Sequence, residues 1–210
     1  MHSARYSQYL KSVFIFLILL IAVYPKVHSE DIDQLSELTV PISGYILDDQ
    51  DGIYSSERSK DEIISIFEKV NKIWAQAAIK INVRYIHRTE LSHELIKAFI
   101  EGNYKPFLNG INRKFDLQNH SIINAFYSKR IGGPNGRALT RYGFFLVTDT
   151  PFVHDQRVTS HEIGHLLGLG HEPYNRKRLM YSGTNGIQLT TKEINTARKN
   201  AAKILKNALQ

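Results

Sequence analysis

The chain has 210 residues and no cysteine, is 42% hydrophobic and 22% charged, and carries a formal charge of +7. That length and balance support one buried core and exclude collagen-like repeats, wholesale disorder and a multi-span membrane protein. Without cysteine there is no disulfide, thiolate metal site, iron–sulfur cluster or cysteine nucleophile, so any metal must be held by His, Asp or Glu.

Arg5 and Lys11 precede an unbroken apolar run from Val13 to Val23, which Tyr24-Pro25-Lys26 ends with a helix breaker and a charge. The run falls short of the roughly 20 residues that span a bilayer. Residues 1–29 therefore read as a secretory signal, with Val27 and Ser29 just before a cut ahead of Glu30. An uncleaved anchor or a buried core helix are the alternatives. A secreted protein, extracellular or periplasmic, is the expectation. Loss of Arg5, Lys11 and Lys26 lowers the formal charge from +7 to +4, which weakens the hint of nucleic acid or an anionic surface that a basic chain carries.

Residues 30–210 show no repeat and no linker, so one domain is expected. Ile42 to Leu47 reads as a short strand, followed by an acidic turn, Asp48-Asp49-Gln50-Asp51-Gly52. The three aspartates make structural calcium conceivable, but they match no complete calcium loop. Ser59 and Glu62 form a capping box, and Ile63, Phe67, Val70, Trp74 and Ala77 recur at helical spacing, predicting a helix over 60–78. Ile79, Ile81, Val83 and Tyr85 alternate as one face of a strand; Leu91, Leu95, Ala98 and Phe99 suggest a second helix; residues 102–120 are turn-rich and unassigned. Strands are expected over Ser121 to Tyr127 and, fully buried, over Phe144 to Val147, with a tight loop at Gly132 to Gly136 between them. Thr190 and Glu193 form another capping box, opening a terminal helix with Ile194, Ala197, Ala201, Leu205 and Ala208 inward. Helices packed on a mixed sheet, an α+β fold, follow from this order.

Between these elements stands His161-Glu162-Ile163-Gly164-His165-Leu166-Leu167-Gly168-Leu169-Gly170-His171. Helical residues four apart lie one above the other, so His161 and His165 present two imidazoles to one point. Glu162 can reach water at that point. A third ligand six residues beyond His165 requires the chain to turn, and Gly168, with further freedom at Gly170, supplies the place. Three histidines leave a fourth position open, the catalytic arrangement of zinc. With this composition the five fixed positions arise by chance in about one chain in twenty thousand of this length.

This string, with Met180 nine residues after His171 in Leu179-Met180-Tyr181-Ser182-Gly183, resembles the metzincin clan of zinc endopeptidases. The resemblance implies a twisted mixed sheet with an active-site helix and a backing helix, a Met-containing turn beneath the metal, and a split near residue 170 into an upper part (30–170) and a small lower part (171–210). It implies one catalytic Zn2+ on His161, His165 and His171, Glu162 as general base and acid on water, and protein or peptide substrates laid antiparallel on an edge strand, for which 136–142 is the candidate. A plain surface hairpin is the other reading of 136–142. Thr184 to Gln188 would wall the pocket for the residue after the cut. Leu-Met-Tyr resembles the matrixin turn, Glu172 after the third histidine resembles astacins, and Ser182 stands where astacins and serralysins carry a metal-reaching tyrosine; a bacterial-type, matrixin-like label fits best. A cysteine latch on zinc is impossible here, leaving Asp31 or Asp33 as candidate latency caps. A monomer is expected. Two functions compete: a secreted zinc-binding or toxin-like module without turnover, and an anion binder using Arg176-Lys177-Arg178 and the bases of the terminal helix.

Overall fold

Four of the five strands run parallel, and the fifth closes one edge of the sheet antiparallel. The computed structural model describes residues 35–115 and 121–208, and from Ser36 onward these belong to one unit. The expected signal at 1–29, and Asp31 and Asp33, lie outside the described residues. The elements are β1 (Leu38–Asp49), α1 (Lys60–Trp74) with a 3-10 turn (Ala75–Ala77), β2 (Ile79–Leu91), α2 (His93–Ile100), α3 (Tyr104–Phe115), β3 (Ile123–Ser128), β4 (Gly136–Leu139), β5 (Phe144–Thr148), α4 (Asp155–Leu166) and α5 (Thr191–Asn207). The sheet order is β2-β1-β3-β5-β4, an α+β fold built on a mixed sheet. None of the described helices is long and apolar enough to cross a membrane.

Both capping boxes form. The Ser59 hydroxyl accepts from the Glu62 amide at 3.1 Å while the Glu62 carboxylate accepts from the Ser59 amide at 2.6 Å, and Thr190 and Glu193 repeat the exchange at α5. Each satisfies amides that a helix start leaves without partners. The first strand is longer than its apolar run, because β1 is a central strand whose pairing with β2 on one side and β3 on the other carries it out to Leu38 and Asp49. The alternation of β2 changes phase midway: Ile42 pairs with Val83 but Ser43 with Tyr85, so Arg84 is the extra residue of a bulge. Ile79 and Ile81 are buried before it, and Ile86 and Leu91 after it, while Tyr85 is exposed. Leu91 accordingly ends β2 and is not part of α2. The unassigned stretch holds α3, whose Phe107 and Ile111, four apart, are fully buried.

The sheet is covered on both faces, as a mostly parallel sheet must be. On one face Tyr45, Leu47, Phe126, Phe144 and Leu146 pack with Ile96 and Phe99 of α2 and Phe107 and Ile111 of α3. On the other face the alternate residues, among them Ile46, Ala125, Phe145 and Val147, are buried, and the Tyr127 hydroxyl meets Thr159 of α4. Helices α1 and α4 pack against each other, and α4 also contacts β4 and β5. This wedges α4 between the sheet edge and the chain that follows it.

Carboxylates of the acidic turn are already engaged. Asp48 pairs with Arg88 at 2.6 Å, and Asp49, 4% exposed, accepts from the amides of Tyr54 (2.9 Å) and Asp51 (3.3 Å) and lies 3.1 Å from His93. Burial works against the charge on Asp49, but these contacts outweigh it and hold the carboxyl below its ordinary value. The turn is therefore a hydrogen-bonded corner.

Candidate metal centre

Helix α4 is buried from Arg157 to Gly164, so tertiary packing rather than an amphipathic stripe holds it helical. Its first turn is tied down by Arg58, which donates to Asp155 and to the carbonyls of Thr148 (3.2 Å) and Asp149 (2.6 Å). Its end is a Schellman motif: the Gly168 amide donates to the His165 carbonyl at 3.0 Å and the Leu169 amide to Gly164 at 2.9 Å. Gly168 takes the left-handed conformation this motif needs, with φ +83°; Gly170 does not. The chain reverses there and returns His171 to the helix.

The outcome is convergence. His161, His165 and His171 bring ring nitrogens within 4.8 Å of one another, the one such cluster of three or more metal-binding side chains among the described residues. Nε2 of His165 lies 3.1 Å from Nε2 of His161 and 3.2 Å from Nε2 of His171. The second nitrogens are committed elsewhere: Nδ1–H of His161 donates to the Leu179 carbonyl and Nδ1–H of His165 to the Leu169 carbonyl, both at 2.9 Å. That fixes the tautomer, so both Nε2 atoms carry lone pairs. Lone pairs at this distance repel unless a cation lies between them. A tetrahedral zinc with Zn–N bonds of about 2.0–2.1 Å spaces its nitrogens about 3.3 Å apart, which the observed distances match. Burial pushes the His161 imidazole down to about 3 and holds His165 below its ordinary value, so both are neutral and ready to ligate at pH 7.

Glu162, 5% exposed, turns away from the core toward β4, where the Ala138 amide hydrogen-bonds its carboxylate. Gly136 makes room for it: a Cβ there would stand 2.5 Å from Oε1. Burial pushes the carboxyl up to about 8, opposed by the Ala138 hydrogen bond and the charges of Arg157 and Arg137.

Met180 is fully buried and lies under the helix, since a Cβ on Gly164 would come within 2.6 Å of its sulfur. The Glu172 amide donates to the Met180 carbonyl at 2.9 Å, joining the residue after His171 to this turn. Tyr181 is half-buried.

A cleft of about 430 Å³ runs between β4 and the segment after Met180, lined by Gly136, Ala138, the three histidines and Glu162, and further along by Arg157, Ser182 and Gly183. β4 is one of the two edge strands of the described sheet, but it ends at Leu139, and Thr140–Tyr142 form a 3-10 turn. Ser182 and Gly183 line the cleft, but Thr184 to Gln188, the expected wall, do not; Gln188 pairs instead with the chain before the Met180 turn, its amide donating to Lys177 at 3.0 Å and its carbonyl accepting from Leu179 at 2.9 Å.

Arg157 was not singled out from the sequence, although it stands one helical turn before His161 on the same face. It is 4% exposed and donates to the carbonyls of Leu179 (2.8 Å) and Tyr181, the two residues flanking Met180. Burial holds its guanidinium below the ordinary value, opposed by the Glu162 carboxylate.

No protein-family model and no curated protein sequence matches the chain. Among solved structures, metalloproteinase-II from Bacteroides fragilis superposes with a TM-score of 0.54 at 14% identity over 80% of this chain and 55% of that one. Archaemetzincin from Methanopyrus kandleri gives a TM-score of 0.44 at 15% identity over 84% of this chain and 98% of that one. This chain thus spans little more than half the length of the Bacteroides protein. The chain shares its α+β fold with that metalloproteinase.

Proposed function

We propose that the protein is a zinc-dependent endopeptidase of metzincin type. The observation that carries this reading is the pair of Nε2 lone pairs 3.1 Å apart, each imposed by an Nδ1–H bonded to a carbonyl, with a third imidazole beside them. The Leu179-Met180-Tyr181 turn supports a matrixin-like affinity within the clan, and the metalloproteinase named in the structural comparison supports peptidase chemistry.

Zinc supplies, when bound, the Lewis acidity that makes water acidic near neutral pH and polarises a carbonyl. His161, His165 and His171 would hold it, and the carbonyls of Leu179 and Leu169 keep two of those rings aimed. The positive charge of a bound metal would favour the ionised form of Glu162, whose carboxylate would take a proton from the attacking water and hand it to the departing amine. The Ala138 amide keeps that carboxylate at the cleft, and the outer edge of β4 offers backbone groups to an extended peptide. Secretion, directed by residues 1–29, belongs to the same reading and rests on Arg5, Lys11 and the Val13 to Val23 run.

The test is digestion of a denatured protein substrate by the purified chain, with chelator-treated protein and Glu162→Gln as controls. Cleavage that both controls abolish is expected. Bound zinc with no cleavage above the Glu162→Gln background would leave a zinc-binding module without turnover.

A further inference from the structure

Arg157 is a buried cation with no carboxylate in direct contact; the Glu162 carboxylate acts on it only through space. No carboxylate of the described residues forms an ion pair with it, its Nε has no hydrogen-bond partner, and its known partners are two neutral carbonyls. A guanidinium has five N–H donors, and removing its charge from water is expensive unless an anion compensates. Yet Arg157 lines the cleft, next to Val158, Ser182 and Gly183. Arg137, the other guanidinium of the cleft, is occupied differently: it bonds the Tyr104 hydroxyl and lies 5.2 Å from that ring's centre.

The direction of the cleft says which part of a substrate meets Arg157. Arg157 precedes His161 by one turn, about 5–6 Å toward the start of α4. The chain just before α4 sits beside the start of β4, because the Phe152 amide donates to the Asn135 side chain at 2.9 Å. A peptide antiparallel to β4 runs from its Leu139 end toward its Gly136 end, so the residue after the cleaved bond lies on the Arg157 side of the metal.

We propose that Arg157 selects substrates bearing a carboxylate on the residue that follows the scissile bond, either an Asp or Glu side chain or the terminal carboxylate of a chain ending there. The carboxylate pairs with a guanidinium that the Leu179 and Tyr181 carbonyls already hold in place. This inference rests on the peptidase reading for its orientation.

Its test pairs binding with turnover, both on the zinc-loaded full chain. Short peptides beginning with Glu, the product of a cut ahead of that residue, are titrated against the same peptides beginning with Gln. Cleavage is then compared for matched substrates with Glu or Gln after the scissile bond, and for substrates that end at that residue as free acid or as amide. The Glu peptides are expected to bind on the order of tenfold tighter, and the acid-bearing substrates to show a matching gain in kcat/KM. Glu over Gln assigns the side chain as the source, and free acid over amide the chain terminus. Equal binding and equal cleavage across all pairs would overturn the inference while leaving a peptidase. A Glu preference in binding with no cleavage would uphold carboxylate recognition and remove the peptidase reading instead. Arg157→Lys and Arg157→Gln, checked for zinc content and melting temperature, should lose the preference. A variant that melts earlier but keeps the Glu-to-Gln ratio would make Arg157 only a staple of the Met180 turn and overturn the assignment; should neither variant fold, the wild-type pairs still decide.

Discussion

At His161 and His165 one nitrogen of each ring is spent on a carbonyl so that the other is free, and this division of labour fits the three imidazoles to hold a metal. Glu162 depends on two neighbours from β4, an amide at Ala138 and the missing side chain at Gly136. Gly136→Ala should therefore displace the carboxylate, lowering kcat by about tenfold or more with zinc content unchanged, as steady-state kinetics and metal analysis would show. Glu162→Gln should lower kcat by about a hundredfold to ten-thousandfold while still binding one zinc. Asp49 makes a pH-dependent contribution away from the site. Its carboxyl is held below the ordinary value in the fold, so the unfolded chain takes up the proton first; the stability it contributes is present above about pH 4 and is lost as pH falls through the folded value. Denaturant melts between pH 5 and 3 should show a shallower acid loss for Asp49→Asn than for wild type.

Elements differ in how far their own residues announce them. The helices that open with Ser59/Glu62 and Thr190/Glu193 were legible because a capping box and a 3.6-residue stripe agree over a single segment. The stripe of α5 fades at its end, since Ala208 is exposed. By contrast α3 carries Pro106 and Gly110, and its helicity rests on the aromatic packing of Phe107 against Phe99 at 4.7 Å, a contact that no local pattern reveals. The bulge at Arg84 was equally hidden, because it answers to the register of β1. Two stability measurements belong here. Ser59→Ala and Thr190→Ala should each lower the melting temperature by about 2–4 °C, in keeping with a lost cap of about 1 kcal/mol. Gly168→Ala should cost about 1–2 kcal/mol for a left-handed residue with a Cβ, with the added approach of that Cβ to within 2.5 Å of the Asn200 amide, and should weaken zinc binding as well, because the turn it strains delivers His171.

Over the described residues, the three clustered histidines, Glu162 and Met180 could be read from spacing along one short stretch, whereas the cleft that surrounds them could not. Its walls come from β4, from the first turns of α4 and from the chain after Met180, brought together only by the sheet and by α4 being wedged against its edge. Arg157 shows the difference most sharply: four residues from a ligand in the chain, it acquires meaning only when the Leu179 and Tyr181 carbonyls fold back onto it. The central claim is that one zinc on these histidines drives peptide hydrolysis, and a single titration tests it. Zinc is added stepwise to metal-free protein while cleavage of a peptide substrate is followed. The rate should rise from zero in proportion to bound zinc and level off at one equivalent; cleavage already present without zinc, or none after one equivalent is bound, would contradict the account.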